Sequence, residues 1–390
     1  MLAIKLAYRN LMGGKLRTIL NVLVLSLAYV VIIWHKGLIN GWAVQAERDM
    51  KDVEIGGGQY WHEQYDPYDP FSIDDSHAPI SNIIQIAINK GNLTPILISQ
   101  GTMYPQGRAQ SILLKGIDPQ QNILDIPSEY LEIEIDEIPA MVGAIMAKKN
   151  KLNIDDYITI QWRDANGTFD AAEAKIVHIF KVDVPTVDSG ILWIPIDKHR
   201  EMLQLPNEAT ILVTAKDVGS IGSIPGWNFK NTDFLLADFK DMIKMKNFGG
   251  YIMFIFLLLL ALIAIFDTQV LSIFRRQKEI GTHIALGMTQ NQVIGLFTIE
   301  GAMYAVLAAI LGAIYGIPFL AWQAKSGYTM PGSTEDFGMA IAEKIYPTYS
   351  IALIIGTVLT ILIVTTIVSY FPSRRISKLK PTDAIRGKIQ

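Results

Sequence analysis

Few residues of this 390-residue chain occur in an arrangement that could carry out covalent chemistry. The nucleotide-binding pattern G-x-x-x-x-G-K-[ST] is absent, because Gly14 and Lys15 are followed by leucine, and Gly387 and Lys388 by isoleucine. Neither H-E-x-x-H nor G-x-S-x-G occurs, and the six histidines are scattered, which leaves no site for metal hydrolysis or acyl transfer. We therefore predict that the chain is not an enzyme and binds no cofactor or metal itself.

Four aspartates follow a glycine-rich stretch within residues 56–79, namely Asp66, Asp69, Asp74 and Asp75. Their carboxylates could bind calcium, but the spacing lacks the alternating ligands and the closing glutamate of a calcium loop. We predict a solvated surface loop. His178, in a predicted strand, is expected to be packed or hydrogen-bonded.

The segment RRQKEIGTHIALGMTQ, residues 275–290, is suited to contacting a partner rather than to reacting. Residues 279–286 would form about two helical turns with one apolar side. Gly287 suits the left-handed position that ends a helix, and Thr289 to Gln292 fits a capping box that starts the next one. The pattern predicts a small surface helix that a cytoplasmic partner could push. The alternative is an ordinary connecting loop whose arginines only enforce topology.

Four apolar segments must position that helix. Half of the residues are hydrophobic and only 18% are charged, against about 25% in soluble domains. Each segment reaches the roughly 20 residues that a helix needs to cross about 30 Å of hydrocarbon. We predict one spanning helix before and three after a large inserted domain. The predicted segments are a cytoplasmic amphipathic leader (1–17), spans at 18–41, 248–274, 293–322 and 348–372, the inserted domain (42–247), the cytoplasmic loop with the surface helix (275–292), a short extracytoplasmic loop (323–347) and a basic cytoplasmic tail (373–390).

The distribution of charge predicts the side that each segment faces. The leader, the 275–292 loop and the tail are basic and are predicted to be cytoplasmic. The 42–247 insert has 18 basic and 30 acidic residues, a net charge of −12, and is predicted to lie outside. Without cysteine it has no disulfide and no thiolate metal site, so its own core must stabilise it.

The insert shows an α+β pattern. Residues 157–162 alternate as a strand, residues 164–167 (DANG) form a turn, and residues 174–182 return as a second strand, which predicts a hairpin. Residues 196–205 are typical of a short helix, and residues 209–215 of another strand.

Small residues recur along the third predicted span, which predicts that another helix packs closely against it. Gly301, Ala305, Ala309 and Ala313 recur every four residues, and Gly312 and Gly316 form a G-x-x-x-G pair. Two acidic residues also lie within spans, Asp267 and Glu300. A buried charge there needs a partner. For Glu300 we predict a structural hydrogen bond, with proton transport as the alternative.

The residues 275–301, RRQKEIGTHIALGMTQNQVIGLFTIEG, resemble the signature of FtsX-type permeases: a basic cluster, E-I-G, A-L-G, and an E-G pair in the next helix. The segment 7–20 resembles the start of that family. The segment 372–388 resembles its end, with Pro381 and residues 384–386 in the expected places. The resemblance implies an FtsX-like permease domain at 248–390. It also implies that the insert is a MacB-like periplasmic core domain.

This resemblance places the chain among ABC transporter permeases of the type VII superfamily and implies its partners. Two ABC ATPase subunits, which bind ATP and magnesium, would pair with this permease and a second copy or a paralogue. Segment 279–287 would be the coupling helix. The residues implied in ATPase coupling are Arg275, Arg276, Lys278, Glu279, Ile280, Gly281, Ala285, Leu286 and Gly287. The implied location is the bacterial inner membrane, in contact with lipid, with the large domain in the periplasm and no nucleic-acid partner.

Four functions remain open from the sequence. The layout and the lack of a fused ATPase resemble the lipoprotein-releasing permeases LolC and LolE more than MacB. The leading hypothesis is therefore ATP-driven release of lipoproteins from the inner membrane, with a periplasmic chaperone as recipient. The alternatives are a MacB-like efflux permease of a tripartite system, an FtsX-like signalling scaffold for cell-wall hydrolases, and a membrane-anchored binding module without an ATPase.

Overall fold

The structure, a computed structural model, describes residues 15–181, 190–329 and 344–374. They form two compact units, one of residues 15–43, 243–329 and 344–374, the other of residues 44–181 and 190–242. We call them the helical unit and the β domain. Most of the predicted leader, the tail from residue 375 with Pro381 and residues 384–386, and residues 330–343 of the predicted 323–347 loop lie outside the described residues.

The helices and strands have the following bounds in chain order. The helices are α1 (Lys15–Met50), α2 (Pro70–Ile73), α3 (Asn82–Asn89), α4 (Ala144–Asn150), α5 (Ile196–Leu203), α6 (Thr232–Leu235), α7 (Ala237–Arg275), α8 (Gln277–Ala285), α9 (Gln290–Ser326) and α10 (Ile351–Arg374). The strands are β1 (Gln59–His62), β2 (Ala78–Pro79), β3 (Leu93–Met103), β4 (Gln110–Ile117), β5 (Ile138–Gly143), β6 (Tyr157–Arg163), β7 (Phe169–Phe180), β8 (Ile191–Pro195), β9 (Glu208–Ala209), β10 (Ile211–Thr214), β11 (Trp227–Lys230), β12 (Tyr328–Thr329) and β13 (Lys344–Ile345).

Among the described residues, four helices are long and apolar enough to cross a membrane, namely α1, α7, α9 and α10. Two of them extend well beyond the predicted spans: α1 continues from residue 41 to Met50, and α7 begins at Ala237 rather than at residue 248. These extensions are rich in helix-forming residues, and a helix need not end where the hydrocarbon ends. α10 begins three residues later than predicted, and the Ser350 hydroxyl accepts a hydrogen bond from the Leu353 amide at its start.

The four long helices share an apolar core in the helical unit. Its most buried members include Leu25, Tyr29, Ile265, Ala305, Ala308 and Ile361. Large apolar side chains on other faces, such as Leu260, Ile314 and Ile363, are exposed. Helices that are apolar on every face are typical of membrane spans, where lipid covers the outer side.

The β domain is built on one nine-stranded sheet with the order β11-β1-β10-β3-β4-β8-β5-β7-β6. The long strand β3 also pairs with β6, so six strands from β3 to β6 close into a ring. β4 with β8 and β5 with β7 are parallel pairs, whereas the remaining pairs in the sheet are antiparallel. Two large apolar clusters form the core, around Leu114, Ile160 and Leu192 in one and Ile117, Met141 and Trp193 in the other.

The predicted hairpin is confirmed, because β6 and β7 pair antiparallel from Tyr157 with Lys175 to Arg163 with Phe169. In its turn the Asp164 carboxylate accepts hydrogen bonds from the amides of Asn166 and Thr168, at 2.9 and 2.7 Å. The predicted helix at 196–205 is α5, and the predicted strand at 209–215 contains β10.

Candidate functional site

The surface helix predicted at 279–287 is α8, which begins two residues earlier and ends at Ala285. At its end the Met288 amide donates to the His283 carbonyl at 3.1 Å and the Gly287 amide to the Ile284 carbonyl at 3.0 Å. Gly287 has a φ of +101°, as expected for the glycine that ends a helix in this way. The sequence prediction for Gly287 is therefore confirmed.

The predicted capping box at the start of α9 is also confirmed. The Gln292 amide donates to the Thr289 hydroxyl at 3.3 Å, and the Thr289 amide donates to the Gln292 side chain at 2.9 Å. Only Leu286 to Thr289 separate the two helices. The connection is short, and the end of α8 and the start of α9 are both capped by hydrogen bonds, so the two helices are closely linked.

One face of α8 packs and the other is exposed. Ile280 is fully buried and Ile284 partly buried, in a small cluster with Ile273, Val293 and Phe297. Gly281 is also buried. The other residues implied in coupling are exposed: Arg275, Lys278, Glu279, Ala285, Leu286 and Gly287. The side chain of Leu286, the residue that follows α8, is 80% exposed. The helix and this residue together present charged groups and one large apolar side chain to their surroundings.

Arg276 connects α7, α8 and α9. It is the single residue between α7 and α8. Its Nη1 donates to both carboxylate oxygens of Glu300, at 2.9 and 3.2 Å, and its Nε donates to Glu279 at 2.6 Å. The guanidinium also lies over the Phe297 ring, 4.9 Å from the centroid. We call residues 273–300, which contain this contact and α8, the elbow.

The positive charge of Arg276 and the negative charges of Glu279 and Glu300 stabilise one another. The Glu300 side chain is only 5% exposed, against 19% for Arg276 and 58% for Glu279. Burial lowers the pKa of the Arg276 guanidinium, but the nearby charge of Glu300 and the hydrogen bonds to both glutamates raise it above its ordinary value. Arg276 therefore stays charged and balances a buried carboxylate that would be costly alone.

The glycines predicted to pack α9 lie at two helix contacts, one with α10 and one with α1. A Cβ added at Gly301 would lie 2.0 Å from the Ser369 hydroxyl of α10. Added at Gly316 it would lie 2.6 Å from Val30 of α1, and at Gly312 it would lie 3.4 Å from the Ser26 carbonyl. These glycines therefore occupy positions of close approach between helices.

The alanines of the predicted row do not all share that face. Ala305 is fully buried and Ala309 partly buried, whereas Ala313 is exposed and Ala308 is buried instead. A four-residue spacing rotates by about 40° per step on a helix with 3.6 residues per turn, so the row leaves the contact. The expectation that Ala313 packs was wrong for this reason.

The two acidic residues within spans differ in their surroundings. Glu300 makes the predicted structural hydrogen bonds, through Arg276. Asp267 is exposed and makes no ion pair with any residue in the described parts of the chain. Its neighbour Thr268 is buried and accepts a hydrogen bond from Asn21 of α1 at 2.7 Å. The structure does not bring Asp267 and Glu300 into one site.

A row of polar residues on α10 was missed by the sequence reasoning. Thr357, Thr365, Ser369 and Ser373 are all buried, at intervals that are multiples of four residues. The hydroxyl of Ser373 donates to the Ser369 carbonyl at 2.8 Å. Their spacing within an otherwise apolar helix was the signal that could have revealed a packed face.

The β domain has its own connection to a long helix, at residues 50–58, which we call the joint. After Met50 the chain makes a π-helical turn, Lys51–Ile55, and three glycines lead into β1. A Cβ added at Gly57 would lie 2.2 Å from the Ala215 carbonyl, so only glycine fits between the turn and β10. The Gly57 amide donates to the Thr214 carbonyl at 2.8 Å.

Charged side chains fix the joint to the sheet. Lys216 pairs with Asp52 at 2.8 Å and with Asp125 at 3.5 Å. Lys115, with 8% of its side chain exposed, pairs with Glu54 at 3.5 Å, and its Nζ lies 5.3 Å from the centroid of the Trp193 ring. The joint is therefore held by both backbone and side-chain contacts.

Three of the four aspartates of the 56–79 segment accept backbone hydrogen bonds, two of them within their own turns and one from strand β3. Asp66 accepts a hydrogen bond from the Tyr68 amide at 2.9 Å, Asp69 from the Phe71 amide at 3.0 Å and Asp74 from the Gln100 amide at 3.1 Å. Nearby, Tyr68 and Phe71 are 77% and 91% exposed. His178, which was expected to be packed, stacks on Tyr130 with ring centroids 3.9 Å apart.

Comparison with known proteins finds similarity in the C-terminal third of the chain. Residues 251–381 match the family described as FtsX-like permease, C-terminal. An uncharacterised ABC transporter permease of Methanocaldococcus jannaschii is 29% identical over 135 residues, which are 34% of this chain and 30% of that protein.

Two curated relatives are named macrolide export ATP-binding/permease protein MacB. The protein of Campylobacter fetus subsp. fetus is 34% identical over 119 residues, 30% of this chain and 16% of that protein. The protein of Nitrobacter winogradskyi is 24% identical over 123 residues, 32% of this chain and 17% of that protein. The chain thus spans less than a third of the length of the curated relatives it matches.

One of the matching solved structures is that of an extracellular domain. The crystal structure of the extracellular domain of the noncanonic ABC-type transporter YknZ from Gram-positive bacteria is matched over 45% of this chain and 99% of that chain, at 11% identity and a TM-score of 0.28.

Proposed function

We propose, from the premise that this chain carries an FtsX-like permease domain and is homologous to ABC transporter permeases, MacB among them, that α8 is the surface on which an ABC ATPase is seated. The observation that carries the proposal is the two-sided character of α8. Its inner face is packed against α9, while Lys278, Glu279 and Leu286 remain exposed. An exposed leucine among charged residues is typical of a docking surface.

The elbow would convert a push on α8 into motion of two long helices. Arg276 joins α7 to α8 without an intervening residue and is bonded to Glu300 of α9. A tilt of α8 would therefore act on α7 through the backbone and on α9 through the ion pair. Two states with different cargo affinity are needed for such motion to do transport work.

The joint would pass motion of α1 to the sheet. Its ion pairs and its backbone contact with β10 leave little freedom between the end of α1 and β1. We propose that ATP, with magnesium, is bound and hydrolysed in the partner ATPase, present in two copies. A second permease, identical or paralogous, would complete the complex in the bacterial inner membrane, with the β domain in the periplasm.

For the cargo we propose lipoproteins, handed to a periplasmic acceptor. The supporting feature is an exposed aromatic surface in the β domain, formed by Tyr68, Phe71 and Phe234 beside the start of α7. The Tyr68 hydroxyl donates a hydrogen bond to Asp238, near the first residue of α7. Exposed aromatic and apolar side chains suit a cargo that carries acyl chains.

Macrolide-type efflux is the second candidate, because two curated relatives are named for macrolide export. The same aromatic surface would accept a large apolar small molecule. The two cargo classes separate when the complex is purified from gently solubilised native membranes. Bound lipoproteins or their chaperone favour release, whereas a periplasmic adaptor with an outer-membrane tunnel favours efflux. Cell-wall hydrolases without either would favour a signalling scaffold.

The ATPase surface is tested by Leu286→Asp. Because this side chain is 80% exposed, the substitution leaves the packing of the elbow unchanged. We expect at least a tenfold loss of the ATP hydrolysis that co-purifies with the chain. Ile86→Asp is the matched control, since that isoleucine is 55% exposed in the β domain. Full hydrolysis in Leu286→Asp, or an equal loss in both variants, would contradict the proposal.

A further inference from the structure

Residues 344–349, which we call the strap, lie between α9 and α10 in the chain and pack against α1. The Thr348 amide donates a hydrogen bond to the Gly37 carbonyl of α1 at 3.0 Å. The side-chain amide of Asn40, also on α1, donates to the Thr348 hydroxyl at 2.7 Å. The strap therefore contacts α1 through both backbone and side-chain groups.

Two glycines, four residues apart on α1, make room for the strap. A Cβ added at Gly37 would lie 2.2 Å from Cε1 of the Tyr349 ring. One added at Gly41 would lie 2.1 Å from the Tyr346 carbonyl oxygen and 2.9 Å from the Pro347 Cα. The contact at Gly41 is with backbone atoms, which no side-chain rotation can move away. The two glycines therefore let the strap approach the α1 backbone closely, as small residues do between helices.

The strap is also attached to the end of α9. Strand β13, its first two residues, pairs antiparallel with β12, where Tyr328 lies opposite Ile345. One residue separates β12 from Ser326, the last residue of α9. The Tyr328 ring lies edge-on to the Trp34 ring of α1, with the centroids 5.6 Å apart. The end of α9 and the strap thus contact the same part of α1.

The contacts of α7 with this part of α1 are made by side chains. Nζ of Lys36 lies 4.8 Å from the centroid of the Phe254 ring. A Cβ added at Gly250 would lie 3.0 Å from Cε1 of His35, the far end of a side chain. Side chains can change rotamer as two helices shift, whereas the backbone contact at Gly41 cannot adapt in this way. Here α1 is therefore held more firmly to the strap than to α7.

We propose that the strap makes α1 move together with α9 and α10, while α7 moves relative to this group. This inference rests on the proposed function, in which a push on α8 reaches α7 and α9, and the joint continues from α1. The strap and the contact of Gly316 with Val30 would carry the motion of α9 to α1. Gly37 and Gly41 are then positioning residues for transport.

The test compares two short chemical bridges in the complex with its ATPase, purified from native membranes. The chain has no cysteine, so each introduced pair is the only one in it. Asn40→Cys with Thr348→Cys, treated with a short bifunctional methanethiosulfonate, bridges α1 to the strap. His35→Cys with Gly250→Cys bridges α1 to α7 and is the matched control, because those side chains also meet directly.

We expect the α1–strap bridge to leave ATP hydrolysis within about twofold of the untreated variant, because the bridged elements already move together. The α1–α7 bridge should lower hydrolysis by about fivefold or more, because it blocks a movement that the cycle needs. A reducing agent should restore the activity, which separates the effect of the bridge from that of the substitutions.

The seat of the strap is tested separately by Gly41→Ala. The added Cβ meets the Tyr346 carbonyl, so we expect the yield of the α1–strap bridge to fall by about threefold. Gly356→Ala on α10 is the control, since nothing lies within 4 Å of its added Cβ. An unchanged yield in Gly41→Ala would contradict the seating of the strap on this glycine.

Loss of hydrolysis on the α1–strap bridge would show that the strap must open, and would overturn the inference. Tolerance of both bridges would also overturn it, because α1 would then not move relative to α7. Full hydrolysis in Leu286→Asp, together with loss only on the α1–α7 bridge, would reject the docking surface and keep the strap.

Discussion

The elbow and the joint are two places where a long helix connects to another element, and the contacts that hold them differ. At the elbow one guanidinium, that of Arg276, contacts two glutamates, and five buried apolar residues support it. At the joint two lysines pair with three carboxylates, and the Gly57 and Asp125 amides add backbone hydrogen bonds.

The difference indicates where the molecule can change state. Contacts that depend on one side chain can be exchanged for others. Contacts spread over backbone and several charges resist exchange, since each one must break at the same time. We therefore expect switching at the elbow and rigid transmission at the joint.

The largest expected effect is at the elbow. Arg276→Met leaves the buried Glu300 carboxylate without its arginine, and we expect a loss of about 3 kcal/mol in the free energy of unfolding. Thermal unfolding in nanodiscs measures it. The double variant Arg276→Met with Glu300→Gln should regain most of the stability but not the ATP hydrolysis. If the double variant is no more stable than the single one, the ion pair is not what holds the elbow.

At the joint, Gly57→Ala should cost about 2–3 kcal/mol, because its Cβ would lie 2.2 Å from the Ala215 carbonyl. Unfolding followed by tryptophan fluorescence measures the loss. Gly249→Ala on α7 is the control, since nothing lies within 4 Å of its added Cβ. Equal stability of the two variants would mean that the joint is less rigid than the comparison requires.

The stability of the β domain should depend on pH through His199. This residue is fully buried, its Nε2 lies 2.7 Å from the Ser99 hydroxyl, and burial lowers its pKa to about 3. The unfolded chain takes up a proton below about pH 6.5 and the folded chain does not, so stability falls as the pH falls. We expect a loss of about 2 kcal/mol between pH 7 and pH 5.

His199→Gln should remove that pH dependence, as measured by thermal unfolding at both pH values. His178→Gln is the control, because His178 stacks on Tyr130 in the same domain and is not fully buried. An unchanged slope in His199→Gln would assign the pH dependence to other groups.

The smallest effect is expected at Gly287. Nothing lies within 4 Å of an added Cβ, but its φ of +101° is unfavourable for other residues. Gly287→Ala should therefore cost about 1 kcal/mol through the backbone alone. Gly287→Asn should cost less, because asparagine tolerates positive φ better. Identical unfolding temperatures for the two variants would show that the end of α8 adapts.

Local features of the elbow could be predicted from the sequence. Gly287 and the Thr289–Gln292 capping box depend on residues within one helical turn, so their spacing alone specified the geometry. The β6–β7 hairpin was predictable for the same reason.

Contacts between distant residues could not be predicted in this way. The pairing of Arg276 with Glu300 depends on how α8 folds back on α9, and the sequence showed only that each charge needed a partner. Ala313 was assigned to a packing face because a four-residue spacing resembles one turn of helix, although the row drifts around it. The ring closed by β3 and β6 likewise depends on residues about 60 positions apart, which alternation along one strand does not specify.

The most direct measurement is site-specific photocrosslinking from position 286 in native membranes, with mass spectrometry of the product. A photoreactive residue there should crosslink to an ATP-binding subunit, and the same probe at position 86 should not. Crosslinks from position 286 to lipid alone, with an ATPase recovered in the same preparation, would contradict the assignment of α8 as the docking surface.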